Sequence, residues 1–203
     1  MKFGYTINNK LMMNTNGKLL GVEVNDPYNP LGLPPNTIRI KFISGYTPNM
    51  GDIRTLVDST NNVWDIYKQS NDWSDLFKGW TTQLLEVLGA NTTNVTSMER
   101  MFINCRTLTN VSLFDTSNVL NMGSMFQNCT SLTTIPLFDT SKVTFINLML
   151  YNCTKIQSGS LALYQQASTQ ADPPSNHSMT FRDCGKDTIT GSAELAQIPS
   201  DWK

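Results

Sequence analysis

A stretch of 24 residues, DTSNVLNMGSMFQNCTSLTTIPLF at positions 115–138, decides the fold. The segments before and after it, 91–114 and 139–162, align with it without a gap, and we call these three segments the rows. Chance does not match so many positions at one period, so the spacing predicts a repeat architecture. The matched positions include Val95, Val119 and Val143, Met101, Met125 and Met149, and Leu108, Leu132 and Ile156.

The two halves of a row differ in the spacing of their apolar residues. In the first half Val119, Met122 and Met125 lie three residues apart, which fits a helical or 3₁₀ segment with one buried stripe. In the second half Leu132 and Ile135 belong to an L-x-x-I-x-L spacing, which puts apolar side chains on one face of a short strand. We therefore predict an α/β repeat fold, a short, capped leucine-rich-repeat solenoid with a small β-containing arm at the N-terminus. The methionines, Phe102 and Phe126 are predicted core residues.

Weaker copies of the row spacing occur on both sides. The segment from Trp73 to Trp80 copies the three-residue steps with bulkier side chains, as a capping row would. A short helix is predicted at 161–167. Strands are predicted at Thr37–Phe42, as an edge or cap strand, and at 62–67. The predicted divisions are an N-terminal arm and linker at 1–33, a cap with a degenerate first row at 34–90, the three repeats at 91–162, and a degenerate row with a cap at 163–203.

The charge composition argues against two classes of partner. Lys and Arg number 15 and Asp and Glu 16, which gives a net charge of −1. A nucleic-acid binder would carry a basic stripe, and a membrane-surface anchor would carry a polybasic segment. No apolar run in the sequence is long enough to span a membrane. We expect protein partners, and neither nucleic acid nor a membrane span.

The histidine count argues against catalysis. His177 is the only histidine in the sequence, so a histidine-dependent nucleophile would have to use it, and a site with several histidine ligands is excluded. In the row alignment this histidine replaces Met98 and Met122, which favours a covering role in the last row over that of a general base. We expect no enzyme activity, no metal and no cofactor.

A cysteine and an asparagine recur side by side in each row. The cysteines could form a disulfide set or a metal cluster, but a ladder does not converge on a metal ion, and buried free thiols are common. The asparagines could form a polar binding stripe, or a ladder whose amides satisfy loop backbone groups. In both cases we favour the structural alternative. The predicted ladder residues are Cys105, Cys129, Cys153 and Cys184, with Asn104, Asn128 and Asn152.

Two further groups of residues are candidates for binding. The outward positions of the predicted row strands form an uncharged polar strip, which suits a protein loop or a glycan better than a phosphate. The strip candidates are Thr109, Asn110, Ser112, Thr133, Thr134 and Gln157. The N-terminal arm is the candidate attachment segment, with two short strands predicted around a turn. Its candidate attachment residues are Phe3, Tyr5, Leu19, Val22 and Tyr28.

The rows also carry a family resemblance. Residues 115–132 match almost throughout the pattern F-D-T-S-x-V-x-x-M-x-x-M-F-x-x-C-x-x-L, and the rows resemble those of BspA-like bacterial surface proteins. The third row departs from that pattern at Phe145 and at Gly159. The resemblance implies a non-catalytic surface or adhesion role for a protein of a usually exported family.

The first residues of the chain bear on how such a surface module would be displayed. The first residues show no recognisable signal peptide, and a surface module without one could reach the outside on a phage particle released by lysis. We therefore predict a non-enzymatic structural or adhesion subunit, a fibre or decoration protein on the exterior of a phage-like particle. In this prediction the repeats are displayed and the N-terminal arm attaches. The alternative is a BspA-like adhesin or protein-interaction scaffold of a cell surface.

The predicted partners are the same for both alternatives. They are other virion or surface proteins, with glycan as a further candidate ligand. A homo-oligomer is expected, with a trimer as one candidate, although the sequence contains no coiled coil that would set the number of subunits.

Overall fold

The computed structural model describes residue 29 and residues 31–48 and 54–203. The strands in this part of the chain are β1 (Thr37–Phe42), β2 (Arg54–Asp58), β3 (Val63–Tyr67), β4 (Leu84–Asn91) and β5 (Asn110–Val111). They form one mixed sheet in the order β2-β3-β1-β4-β5, in which only β4 and β5 run parallel. Two short helices, α1 (Ser160–Thr169) and α2 (Ile189–Gln197), and a 3₁₀ turn at Ser200–Trp202 follow the sheet.

The sheet forms from segments in which apolar and polar residues alternate. In β1, Ile38 and Ile40 are fully buried in the core. Arg39, between them, points to the other face and forms an ion pair with Asp65 of β3, with Nε 2.7 Å from Oδ1. The strand predicted at Thr37–Phe42 is confirmed, and that predicted at 62–67 is confirmed as β3. However, β1 is not an edge strand, because β3 pairs with it on one side and β4 on the other.

The predicted leucine-rich-repeat solenoid is wrong. The structure is an open, mixed five-stranded sheet with two short helices, and the rows contribute to it only the two-residue strand β5. The first half of a row cannot be helical, because Arg100 and Asn104 have φ angles of +54° and +62°, outside the right-handed helical region. The second half does not extend the sheet in the middle row, where Pro136 has no backbone N–H to donate.

The first halves of the rows instead fold into consecutive tight turns, which stack on one another. The N–H groups of Met98 and Met122 donate to the carbonyls of Asn121 and Phe145 in the following row, at 2.9 and 2.8 Å. Parallel bridges join the equivalent positions of successive turns, and one of them joins Ser97 to Asn121. The period of the sequence therefore sets the hydrogen-bond register between stacked turns.

Aromatic rings fill the centre of this stack. Phe77, Phe102 and Phe126 are fully buried, and the ring centroids of successive members are 5.3 Å apart. Their planes lie within 10° of parallel. Each ring therefore stacks on the ring of its neighbour, and the series runs from one turn of the stack to the next. The predicted core positions at the row methionines, Phe102 and Phe126 are confirmed by their complete burial, as at Met101 and Met125. Outside the rows the prediction is wrong at Met179, which is 40% exposed.

Two elements cover the C-terminal end of the stack. The ring of Trp202 stacks on that of His177, with a centroid distance of 4.2 Å. Glu194 of α2 accepts hydrogen bonds from Ser160 Oγ at 2.6 Å and Leu161 N at 3.0 Å, at the start of α1. Glu194 thus caps α1, whose own N-cap residue, Gly159, has no side chain for that purpose. The helix predicted at 161–167 is confirmed as α1.

Candidate functional site

The strip candidates lie together along one side of the sheet and rows. Thr109 N donates to Leu85 O of β4 at 2.9 Å, Thr133 N donates to Thr109 O at 3.4 Å, and Gln157 N donates to Thr133 O at 2.7 Å. These bonds place residues from successive rows next to one another in a column. We call this surface the polar strip, and it consists of Thr109, Asn110, Thr133, Thr134 and Gln157.

A second column of the polar strip runs beside the first. Asn110 lies in β5 opposite Glu86, and Thr134 forms a parallel bridge with Ser158 of the following row. The side chains of Asn110 and Thr134 are exposed and form no hydrogen bond within the described part of the chain. Ser112, the remaining candidate, is half-buried, and its N–H donates to Val87 O at 3.0 Å.

The chemistry of the polar strip is that of uncharged hydrogen-bonding groups. The hydroxyls of Thr109 and Thr133 donate to the carbonyls of Leu85 and Thr109, at 3.1 and 3.3 Å, which leaves their oxygens as acceptors. The exposed amide of Gln157 offers both donors and an acceptor. The strip can therefore recognise a polar, uncharged surface, and its hydroxyls are held in place by the backbone.

The candidate attachment residues lie outside the residues that the structure describes. They are Phe3, Tyr5, Leu19, Val22 and Tyr28. The strands predicted around the turn in the N-terminal arm fall in the same segment, and the attaching role of the arm stays a prediction.

The four cysteines are free and buried. The thiols of Cys129 and Cys153 donate to the carbonyls of Phe102 and Phe126 in the preceding row, at 3.2 and 3.0 Å. Burial raises the pKa of the Cys105 and Cys153 thiols to about 12, and it raises the pKa of Cys129 and Cys184 well above the ordinary value. These groups are therefore neutral hydrogen-bond donors in the core, and they are poor nucleophiles because the thiolate is the reactive form.

The raised thiol pKa values predict a loss of stability in alkali. A thiol whose pKa is raised on folding ionises more readily in the unfolded chain, so its contribution to stability is complete below the unfolded pKa of about 8.5 and is lost as the pH rises towards 12. We expect Cys153→Ala to make the decline in the free energy of unfolding between pH 9 and 11 shallower by about 1.4 kcal/mol per pH unit. Urea titrations of both proteins across this range measure the slopes, and equal slopes would contradict the burial of this thiol.

The asparagines beside the cysteines form a hydrogen-bonded chain of amides. Asn128 Nδ2 donates to Asn104 Oδ1 at 2.8 Å, and Asn152 Nδ2 donates to Asn128 Oδ1 at 3.0 Å. Each has a φ near +60°, a conformation that asparagine adopts more readily than most residues. The side chains thus bond to one another rather than to loop backbone groups.

Sequence reasoning did not identify the exposed apolar residues. Leu137 and Phe145 in the rows are 52% and 46% exposed, and Leu56 and Val57 in β2 are 46% and 43% exposed. A signal was present at Phe145, which stands where the preceding rows carry polar residues. Leu56 and Val57 gave no such signal, because their exposure depends on the position of β2 at the end of the sheet.

Comparison with known proteins identifies a protein family. A family model described as "Mycoplasma protein of unknown function, DUF285" matches residues 60–181. The chain belongs to the DUF285 family. The DUF285 match begins just before β3 and includes the three rows and α1. No curated protein and no solved structure matches the chain.

The described part of this DUF285 chain contains neither a membrane-spanning helix nor a cluster of metal ligands. Among the helices of the described residues, none has the length and apolar character needed to cross a membrane. Across residues 31–48 and 54–203, no group of three or more His, Cys, Asp or Glu side chains has the arrangement of a metal site.

Proposed function

We propose that this DUF285 protein is a non-enzymatic recognition module displayed on an outer surface, where the polar strip binds a protein or a glycan. The observation that carries the proposal is the strip itself. Asn110, Thr134 and Gln157 present exposed polar side chains in adjacent rows, on a backbone held by hydrogen bonds between rows. An array of this kind offers many weak, directional contacts at fixed spacing, which suits an extended uncharged partner better than a small charged substrate.

The resemblance of the rows to BspA-like surface proteins supports surface display. The structure of the rows differs from a leucine-rich-repeat solenoid, but the proposal needs only the exposed strip and not that fold. The family model is described as a Mycoplasma protein of unknown function, and this description favours neither carrier. A phage-like particle, to which the N-terminal arm attaches the chain, is the first carrier that we propose, and a cell surface is the alternative.

Antibody labelling tests the display of the protein. Gold-labelled antibody against the purified chain would be applied to intact cells of the source organism and to purified phage particles released from them. We expect labelling of one of these outer surfaces without permeabilisation. Labelling only after the cells are opened would contradict surface display, whichever partner the strip binds.

Charge insertion tests the binding role of the strip. Because Asn110 and Thr134 are exposed, the double variant Asn110→Lys/Thr134→Lys should fold normally and add two positive charges to the polar strip. Binding to immobilised glycans and extracellular matrix proteins should fall at least about tenfold, since each buried unpaired charge costs several kcal/mol. Gln69→Lys is the matched control, because Gln69 is exposed and lies after β3, away from β5. Equal binding by the double variant and the control would exclude the strip as the binding surface.

A further inference from the structure

An exposed aromatic ring lies in a column of polar residues on the stacked turns. Parallel bridges join Asn121 to Phe145 and Phe145 to Asn176, so these three residues occupy equivalent positions of successive turns. Phe145 is 46% exposed, and its ring contacts no other aromatic ring within the described part of the chain. The ring is therefore not part of the stacked core, and one of its faces is open to a ligand.

The amides on either side of this ring are held in place by their own turns. Asn121 Oδ1 accepts a hydrogen bond from Gly123 N at 2.9 Å. Asn176 Oδ1 accepts from Ser178 N at 3.4 Å and from Ser178 Oγ at 3.2 Å. Side-chain to backbone bonds of this kind restrict the amide groups locally. The column therefore presents two preorganised amides rather than two freely rotating side chains.

Both amides keep N–H donors for a ligand. Asn176 Nδ2 forms no hydrogen bond with any residue that the structure describes. Asn121 Nδ2 donates to Glu99 Oε2 at 3.2 Å, which uses one of its two N–H groups and leaves the other. Residues paired across a parallel ladder lie about 4.8 Å apart, with their side chains on the same side. Phe145 therefore lies between hydrogen-bond donors on the two neighbouring turns.

An exposed leucine extends the apolar surface beside the ring. The carbonyl of Leu120 accepts from the N–H groups of Thr144 and Phe145, at 2.8 and 3.3 Å, so the backbones of Leu120 and Phe145 adjoin. Leu120 is 48% exposed, and Thr144 is exposed as well. The surface thus combines an aromatic ring, an aliphatic side chain, a hydroxyl and two amides. The column itself carries no charged side chain from Ser97 to Asn176.

We propose that Leu120, Asn121, Phe145 and Asn176 form a second binding site, the ring site, which takes an N-acetylated pyranose of an uncharged glycan. A pyranose has a face of C–H groups, which packs on the negative face of an aromatic ring. Its hydroxyls accept hydrogen bonds from the two amides, and its acetyl methyl group packs on Leu120. The carboxylate of Glu99, bonded to Asn121, repels sulfated, phosphorylated and sialylated ligands, so it selects an uncharged glycan.

The ring site and the polar strip are separate surfaces of the rows. The ring site belongs to the first half of each row and the strip to the second half. The ring site also contains the exposed aromatic side chain that the strip lacks. The inference therefore goes beyond the proposed function and does not rest on it.

Saturation-transfer NMR tests the ring site on the purified full-length chain. The probe is triacetylchitotriose, a neutral trisaccharide of N-acetylglucosamine, at millimolar concentration. We expect transfer to its C–H and acetyl methyl protons, and weaker transfer to cellotriose, which has the same linkage without the acetamide. Phe145→Ala should weaken binding at least about fivefold, as expected for one lost aromatic contact. Phe145→Tyr, which keeps the ring, should bind normally.

Three results would each overturn the proposal. They are no transfer to triacetylchitotriose, equal transfer to cellotriose, and equal binding by Phe145→Ala and the wild type. Circular dichroism of Phe145→Ala checks that this variant folds, which we expect because the ring is exposed. Leu137→Ala is the matched control, since Leu137 is 52% exposed but lies in the second half of a row. It should bind the trisaccharide like the wild type.

Two further variants separate the amides and the polar strip from the ring. Asn176→Asp replaces the Nδ2 donor with an oxygen of similar size and keeps an acceptor for Ser178 N, so it should weaken binding about threefold or more. Asn110→Lys/Thr134→Lys should leave binding of the trisaccharide unchanged. Loss of binding in that double variant but not in Phe145→Ala would place the trisaccharide on the polar strip and overturn the ring site.

Discussion

Phe126→Ala should destabilise this protein more than any other single truncation of a row residue. Phe126 is fully buried, and its ring lies between those of Phe102 and Phe138, at centroid distances of 5.3 and 6.1 Å. Removing a buried phenylalanine ring costs about 3–5 kcal/mol, and lost ring stacking is included in that figure. Since domains are stable by only about 5–15 kcal/mol, we expect the melting temperature to fall on the order of 10 °C.

A phenylalanine of the next row provides the matched control. Phe145→Ala removes the same atoms from a side chain that is 46% exposed. It should change the free energy of unfolding by about 0.5 kcal/mol or less. Urea denaturation of the two variants measures the difference, with an unchanged m-value showing that both unfold in the same transition. Similar losses from the two variants would show that the rings of successive rows do not stack as described.

Gly191→Ala should be strongly destabilising, although helix propensity predicts the opposite. Gly191 lies in the first turn of α2, where alanine normally stabilises a helix by about 1 kcal/mol relative to glycine. At this position a Cβ would collide with the carbonyl oxygen of Ile156 and lie 2.7 Å from Gly185 Cα. Both obstacles are backbone atoms, which cannot rotate away as a side chain can. Overpacking against fixed atoms costs about 1–3 kcal/mol and sometimes more, so we expect a net loss of about 2 kcal/mol.

The sign of the change in stability distinguishes a backbone collision at Gly191 from an effect of helix propensity. Thr190→Ala, at the preceding and exposed position of α2, should be neutral or slightly stabilising, because only helix propensity acts there. Thermal unfolding of the two variants, followed by circular dichroism, compares them directly. Stabilisation by Gly191→Ala would mean that α2 does not pack on the backbone of Ile156.

Several features of the structure could be predicted from the sequence because they depend on local spacing. The 24-residue period predicted which residues are buried, since the apolar positions of each row must face the same interior. Alternation of apolar and polar residues predicted β1 and β3, and an uninterrupted run of helix-forming residues predicted α1. The strip candidates could also be chosen from the sequence, because residues at one repeat position align when the rows stack.

Only the tertiary structure decided which backbone conformation the rows adopt at this 24-residue period. The same three-residue steps fit a helix or a series of tight turns, and the positive φ of residues such as Arg100 selects the turns. Those turns are stable because their N–H and C=O groups find partners in the neighbouring rows, which no single row contains. The central place of β1, the exposure of Leu56 and the contact of Gly191 with Ile156 likewise depend on segments distant in the chain. Local sequence determines which side chains avoid water, whereas the pairing of backbone groups is settled between segments, where the free energy of each hydrogen bond depends on its partner.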